Sequence, residues 1–454
     1  MKKIFALLLA SMVGVSALSG CGKAEAPETP ETETPETEDV DTAETDEVPG
    51  DVNDLEAEIT WWNFPNFEVV DDMPGKYEEE IIEAFNKKYP NIKVNMEMID
   101  FASGPEKITT AIQGGTMADV LFDAPGRIVS YGKDGVLADL SDMFTDEFIA
   151  DVDNDNIIQA CGANGEMYMY PISSAPFLMA FNKDMLEEHG LLDMLNLEGD
   201  RSWTTAEYKA LLEALKEKGE QGAVIFCVSQ GGDQGPRAYI ANLFNSQITN
   251  DDITEYTIND EGGVKGLQFV MDAIDDGLLL NGSASDGTAA IDEFVAGRVS
   301  HTILYSPGLE ATKKDDLDFE TVMVPYPSEN GTPALEYLVD GFAVFDNGDE
   351  NKIEASKLLI DFICNDEEWG PKNVVATNTF PVRNSFGNLY KDDETMTFLS
   401  SLSVYYSPYY NTIDGFAEMR TAWFPALQAA FSGEKTAQEA LDDFVDVANQ
   451  SITN

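Results

Sequence analysis

Two histidines, His189 and His301, and four cysteines, Cys21, Cys161, Cys227 and Cys364, are all the imidazoles and thiols of this chain. That stock leaves little material for a His-based triad or a His-rich metal centre. No two cysteines stand in the CxxC spacing of a zinc or thioredoxin-like motif. If Cys21 is modified, the other three cannot all pair, and they read as buried free thiols. Asp151-Val-Asp-Asn-Asp-Asn156 offers clustered oxygens. A calcium loop would need Gly sixth and Glu twelfth, where this chain has Asn156 and Gly162, so the run reads as a solvated acidic turn. Gly231-Gly-Asp-Gln-Gly235 lacks the Lys-Ser/Thr that completes a phosphate-cradling loop, and GxSxG, HExxH and GxGxxG are absent. No cofactor or metal is indicated. The 84 Asp and Glu residues leave a glycosidase-type carboxylate pair open.

The scaffold for any such chemistry is large. A chain of 454 residues suits two or three domains, and 43% hydrophobic residues can bury a substantial core. The net charge of -57 repels nucleic acid and anionic lipid headgroups and mildly favours neutral or cationic ligands. Lys2 and Lys3, the apolar run from Ile4 to Ala17, and the small residues before Cys21 predict a secretory signal over 1–20. Leu18-Ser-Gly-Cys21 resembles a bacterial lipobox, in which the Cys21 thiol is acylated. Residues 21–56 are mainly Pro, Glu and Thr, a composition that predicts a disordered, extended tether. No later run reaches the roughly 20 apolar residues of a membrane span.

From Ala57 onward strands alternate with helices. Glu58–Asn63 reads as a strand and Lys76–Tyr89 as a helix stopped by Pro90. Ile92–Met98 is an alternating strand, Pro105–Gln113 a helix closed by Gly114-Gly115, and Asp119–Asp123 a short buried strand. Thr204 reads as the N-cap of a helix that ends at Gly219. Leu338–Phe345 reads as a strand interrupted at Asp340-Gly341, and helices fill the C-terminal end. The alternation predicts a parallel sheet covered on both faces.

Several segments, taken in order, resemble the extracellular sugar-binding proteins that include maltose-binding protein. They are Ile59-Thr-Trp-Trp-Asn63, Phe85–Val94, Gly115–Phe122 running on through Arg127 and Tyr131 to Leu140, Tyr170-Pro-Ile172 with Phe181–Met185, Ser202-Trp-Thr-Thr204, Phe294–Arg298, and Met419–Ala422 with Phe431-Ser-Gly433 and Ala437–Leu441. The resemblance implies an α/β, two-lobed periplasmic-binding-protein-like fold of type II, with a ligand cleft between lobes joined by crossover strands. Crossings are implied near Ala175, Pro325 and Phe380. They give a first lobe of 57–176 plus 327–379 and a second of 177–326 plus 380–454.

A sugar presents apolar faces and a belt of hydroxyls, so its site needs aromatic platforms and planar polar groups. The resemblance implies such roles for Trp62 and Asn63 at the end of the first strand, for Arg127, and for Asp123, which stands where the family has an aromatic. It also implies Ser174 beside the first crossing, Gln230, Gly308 in place of a stacking Trp with Tyr305 compensating, and Phe416 with Arg420 one turn apart. Trp423 follows on the same helical face, and Asp340 is a carboxylate within reach of the cleft. The expected function is a monomeric, lipid-anchored binding protein on the outer face of the cytoplasmic membrane. It would pass a carbohydrate, an oligosaccharide by expectation, to an ABC permease without catalysis. A non-sugar solute such as a glycerol phosphate, a polyamine or a peptide, a surface glycosidase, and a sensor for a membrane receptor are the alternatives.

Overall fold

Among the described residues the strands are β1 (Ala57–Asn63), β2 (Ile92–Met98), β3 (Val120–Asp123), β4 (Gly162–Ala163), β5 (Glu166–Met167), β6 (Tyr170–Pro176), β7 (Leu178–Asn182), β8 (Val224–Val228), β9 (Leu280–Asp286), β10 (His301–Tyr305), β11 (Thr321–Val324), β12 (Tyr337–Val344) and β13 (Phe380–Pro381). The structure is a computed structural model that describes residues 55–71, 73–100, 103–228 and 231–452. The signal, Cys21, nearly all of the tether and Gln230 lie outside the described residues.

One sheet has the order β13-β6-β12-β3-β1-β2. β1 lies parallel to both β2 and β3. Helices Lys76–Lys88 and Gly104–Gly114 make the crossovers that parallel pairing requires. β12, however, runs antiparallel to both β3 and β6, so the sheet is mixed rather than parallel. The local pattern specified strands, but not the direction of one arriving from far along the chain. Aromatic rings fill the face beneath. Phe122 stacks on Phe342 at 4.5 Å and on Phe67 at 5.1 Å, and Trp61 is buried beside Phe342. At Asp340-Gly341 the β12–β6 register shifts, so the interruption read there is a bulge.

A second group holds the antiparallel sheet β10-β7-β11 and the parallel pair β8-β9. Thr204 caps helix Thr205–Lys218 with a full capping box to Glu207, and Gly219 ends it with φ 88°. Gly232 and Gly235 let the next helix, Gln234–Leu243, close on β10. A Cβ at either would meet Leu304 within 2.8 Å.

Three segments join the two groups. Phe177 alone separates β6 from β7, and residues 325–336 lead from β11 back to β12. The third passage comes after Phe380, because Phe380 and Pro381 still pair with Ser174 and Ser173 of β6. The chain then turns through Ser401–Tyr405 and Tyr410–Thr412 into helix Phe416–Phe431. That helix is fastened to the second group where Gln428 Nε2 donates to the carbonyls of Cys227 and Ser283, at 3.0 and 3.1 Å. Among the described residues, no helix is long and apolar enough to cross a membrane.

Candidate functional site

β3 ends on Asp123, and Pro125 starts the helix Pro125–Lys133 immediately after it. One turn in, Arg127 folds back onto the strand end. Its Nε donates to Asp123 Oδ2 at 2.6 Å and its Nη2 to Oδ1 at 2.5 Å, a bidentate pair. The guanidinium also lies over the Phe64 ring, 5.3 Å from its centre. On the same helix Lys133 donates to the carbonyl of Thr412 at 2.7 Å and to Asp414 at 2.6 Å.

Asp233 stands opposite, at the start of helix Gln234–Leu243, and is buried. It pairs with Arg237 one turn on, and it accepts from Arg420 Nε at 2.8 Å and Nη2 at 2.9 Å. Burial opposes ionisation of Asp233, yet Arg237 and Arg420 hold its carboxyl below the usual range. Arg420 lies over Phe416, 5.6 Å from the ring centre.

These two walls enclose a cavity of about 550 Å³. Tyr131, Phe177, Tyr337, Tyr409 and Phe416 line it with rings, and Arg127, Lys133, Asp233, Arg237, Asp414, Glu418 and Arg420 line it with charge. The four cations are matched by Asp123, Asp233, Asp414 and Glu418, so the cavity is close to neutral. Ring faces beside fixed donors and acceptors suit a polyhydroxylated, uncharged ligand. Among the described residues, no cluster of three or more His, Cys, Asp or Glu side chains is placed to hold a metal ion.

Of the residues singled out from sequence, the structure brings Arg127, Phe416 and Arg420 onto this wall, with Asp123 directly behind Arg127. Asp340 lies deeper, beside Asp123 and 3% exposed. Burial first, and Asp123 second, push its carboxyl up to about 7. Ser174 is buried with its Oγ 3.3 Å from the Tyr406 hydroxyl, behind Tyr337.

The others sit elsewhere. Trp62 donates from Nε1 to Glu97 at 3.0 Å, carries Lys107 over its ring, and faces a separate shallow groove with Ser103 and Thr110. Asn63 is buried and donates to Glu78 at 2.6 Å. Tyr305 is wholly buried against Phe294, and Gly308 belongs to the short helix after it, off the cavity wall. Trp423 is also wholly buried, 4.9 Å from the Phe444 ring. It shares the helical face of Phe416, but seven residues advance it about 10 Å along the axis, under the last helix, Ala437–Ile452.

Sequence reasoning missed Lys133, Phe177, Asp233, Arg237, Tyr337 and Tyr409. Two signals were present. Asp233 and Arg237 have i,i+4 spacing, and Tyr405-Tyr-Ser-Pro-Tyr-Tyr410 concentrates rings around a turn former.

Residues 71–368 match the family profile described as bacterial extracellular solute-binding protein. This chain belongs to that family. A maltooligosaccharide ABC transporter solute-binding lipoprotein of Streptococcus pneumoniae is 23% identical over 398 residues, covering 84% of this chain and 88% of the relative. Among solved structures, the cyclic alpha-maltosyl-1,6-maltose binding protein of Arthrobacter globiformis superposes with TM-score 0.73 at 18% identity, over 88% of this chain and all of that one. The maltose-binding periplasmic protein of Listeria monocytogenes gives 0.68 at 20% identity, over 88% and 98%. The fold is therefore the two-lobed α/β fold of solute-binding proteins, and the cavity lies in the cleft between its lobes.

Proposed function

We propose that this solute-binding protein captures a carbohydrate, an oligosaccharide by the room available, and delivers it unchanged to the permease of an ABC importer. The observation that carries this reading is the lining of the cleft: five aromatic rings interleaved with four cations that four carboxylates balance in number. A neutral, hydroxyl-rich ligand finds stacking faces and oriented hydrogen-bond partners there and meets little net charge. The volume is in the range of small-molecule sites, about 300–1,000 Å³. The sugar-binding names of the relatives support the same class.

The lobes are proposed as 57–176 with 327–379 and 177–326 with the C-terminal helices. Residues 380–405 go with the first lobe, because β13 pairs with β6 and the Leu335 N–H donates to the Tyr405 carbonyl at 2.8 Å. Acylation of Cys21 would hold a monomer at the outer face of the membrane, with 21–56 as spacer. The lipoprotein name of the pneumococcal relative supports this placement.

The test is a thermal-shift panel on the full chain with maltose, maltotetraose, arabinooligosaccharides, glycerol 3-phosphate and spermidine. Ligand at a hundred times Kd adds about 2.7 kcal/mol. A shift with one sugar class, with that sugar recovered intact, is the expected result. Response only to the phosphate or the amine overturns the substrate class, and cleaved sugar overturns the non-catalytic reading. Cys21→Ala is expected to move the protein from the membrane fraction to the medium.

A further inference from the structure

Behind the cleft, on the side away from ligand, a chain of buried hydrogen bonds runs from the lobe junction to the cavity wall. Glu336 is the last residue before β12, in the second joining segment, and its carbonyl accepts from the N–H of Phe177, the first joining residue, at 2.9 Å. Its carboxylate accepts from the Tyr410 hydroxyl at 2.5 Å, and Tyr410 belongs to the third joining segment. The same hydroxyl accepts from Arg237 Nε at 2.6 Å. Arg237 pairs with Asp233, and Asp233 holds Arg420 through both of its oxygens. Arg237 and Asp233 are each 1% exposed, Tyr410 5% and Glu336 8%.

Tyr410 does not line the cavity, although its neighbours Tyr409 and Asn411 do. Its ring faces a small void of about 30 Å³ on the other side, among Ala238, Asn242 and Pro408. The three joining segments therefore meet at Glu336, through its carbonyl to Phe177 and its carboxylate to Tyr410, and the Tyr410 hydroxyl in turn fixes the Arg237 guanidinium.

We propose that Tyr410 is a positioning residue for ligand binding. By tying Arg237 to Glu336 it fixes how Asp233 is shared, and so where the cleft's Arg420 stands relative to the lobe junction. The proposal rests on the reading of this cleft as the carbohydrate site. Removing the hydroxyl frees Arg237 to take more of Asp233, and Arg420 then loses its bidentate hold. The effect reaches the ligand although the substituted residue does not line the cavity. Glu336 is faced by Arg237 and Asp233 on one side, by Tyr410 and Tyr409 on another, and by Tyr326. Burial pushes its carboxyl up to about 7, with Arg237 and then Tyr410 drawing it down.

The decisive experiment uses no ligand. Thermal unfolding of the full chain is compared for wild type, Tyr410→Phe, Arg420→Lys and the double variant. The bonds described for the Tyr410 hydroxyl go to Arg237 and Glu336, and independent sites would give additive losses in Tm. Coupling through Arg237 and Asp233 gives a double-variant loss clearly smaller than the sum, and additivity overturns the proposal. Glu336→Gln, combined with Arg420→Lys in the same way, repeats the test should Tyr410→Phe fold poorly. Maltotetraose titration then follows. Tyr410→Phe is expected to weaken binding roughly tenfold, the worth of one charge-assisted hydrogen bond, and unchanged affinity overturns the proposal. Absence of wild-type binding to any sugar would instead sink the carbohydrate reading, while the ligand-free cycle still decides whether Tyr410 positions Arg420.

Discussion

Tyr337 and Tyr406 lie face to face, ring centres 4.0 Å apart and planes within 1°. Tyr337 stands at the start of β12 on the cavity wall, whereas Tyr406 is buried behind it and bonded to Ser174. This part of the cavity wall is thus the front of a two-ring stack anchored in the sheet of β12 and β6. Tyr406→Ala should cost about 3–5 kcal/mol, as other aromatic-to-alanine truncations in cores do, and denaturant unfolding measures it. Under conditions where the variant stays folded, sugar affinity should also fall, although Tyr406 itself is out of reach of ligand.

Phe416 and Trp423 share one helix face and should behave oppositely. Phe416 is partly exposed on the cavity wall, so Phe416→Ala is expected to weaken sugar binding by about tenfold with a small change in Tm. Trp423 is wholly buried against Phe444, so Trp423→Ala should lower stability by about 3–5 kcal/mol and affect binding only through folding. Equal losses of affinity at equal stability would contradict the placement of Trp423.

Asp340 gives a pH signature. Its carboxyl rises from an ordinary value of 3.8 to about 7 in the fold. A raised folded value means stability fully present below about pH 4 and lost as pH rises through 7. Asp340→Asn carries no charge to bury, so its Tm relative to wild type should climb between about pH 4 and 7 and level off above. A difference independent of pH would show that Asp340 ionises freely in the native state.

Gly341 adjoins that carboxylate at the bulge of β12. A Cβ there would come within 2.6 Å of the Tyr170 carbonyl oxygen, and backbone cannot yield cheaply. Gly341→Ala is expected to destabilise by about 1–3 kcal/mol, the usual cost of overpacking, in contrast to Gly308→Ala, where a Cβ meets only Ser306 Oγ at 3.9 Å. Equilibrium unfolding of the two variants side by side makes the comparison.

What was legible in the sequence was mostly local. Thr204 announced a capped helix, Pro90 a stop, and Asp340-Gly341 an irregular strand, because caps, breakers and bulges act within a few residues. Arg127, Phe416 and Arg420 came from a family resemblance, and they line the cavity. The side of a residue that faces the cleft was not legible. Trp62, Tyr305 and Trp423 have the chemistry of sugar platforms, and all three are spent on packing or on a separate groove. The rings that do line the cavity include Phe177, Tyr337 and Tyr409, which come from or adjoin the joining segments. No periodicity marks such segments, and their position depends on two sheets meeting. The direction of β12 was hidden for the same reason.

The cancellation of charge within the cleft has a kinetic meaning. The chain carries a net charge of -57, and a field from that charge decays over a Debye length of about 8 Å at physiological ionic strength. An anionic solute would be slowed on approach and a cationic one hastened, each by an amount that changes with salt. An uncharged oligosaccharide takes no part in that exchange. Its capture rate should be the same in dilute and in concentrated salt, a pace set by diffusion and sugar concentration alone.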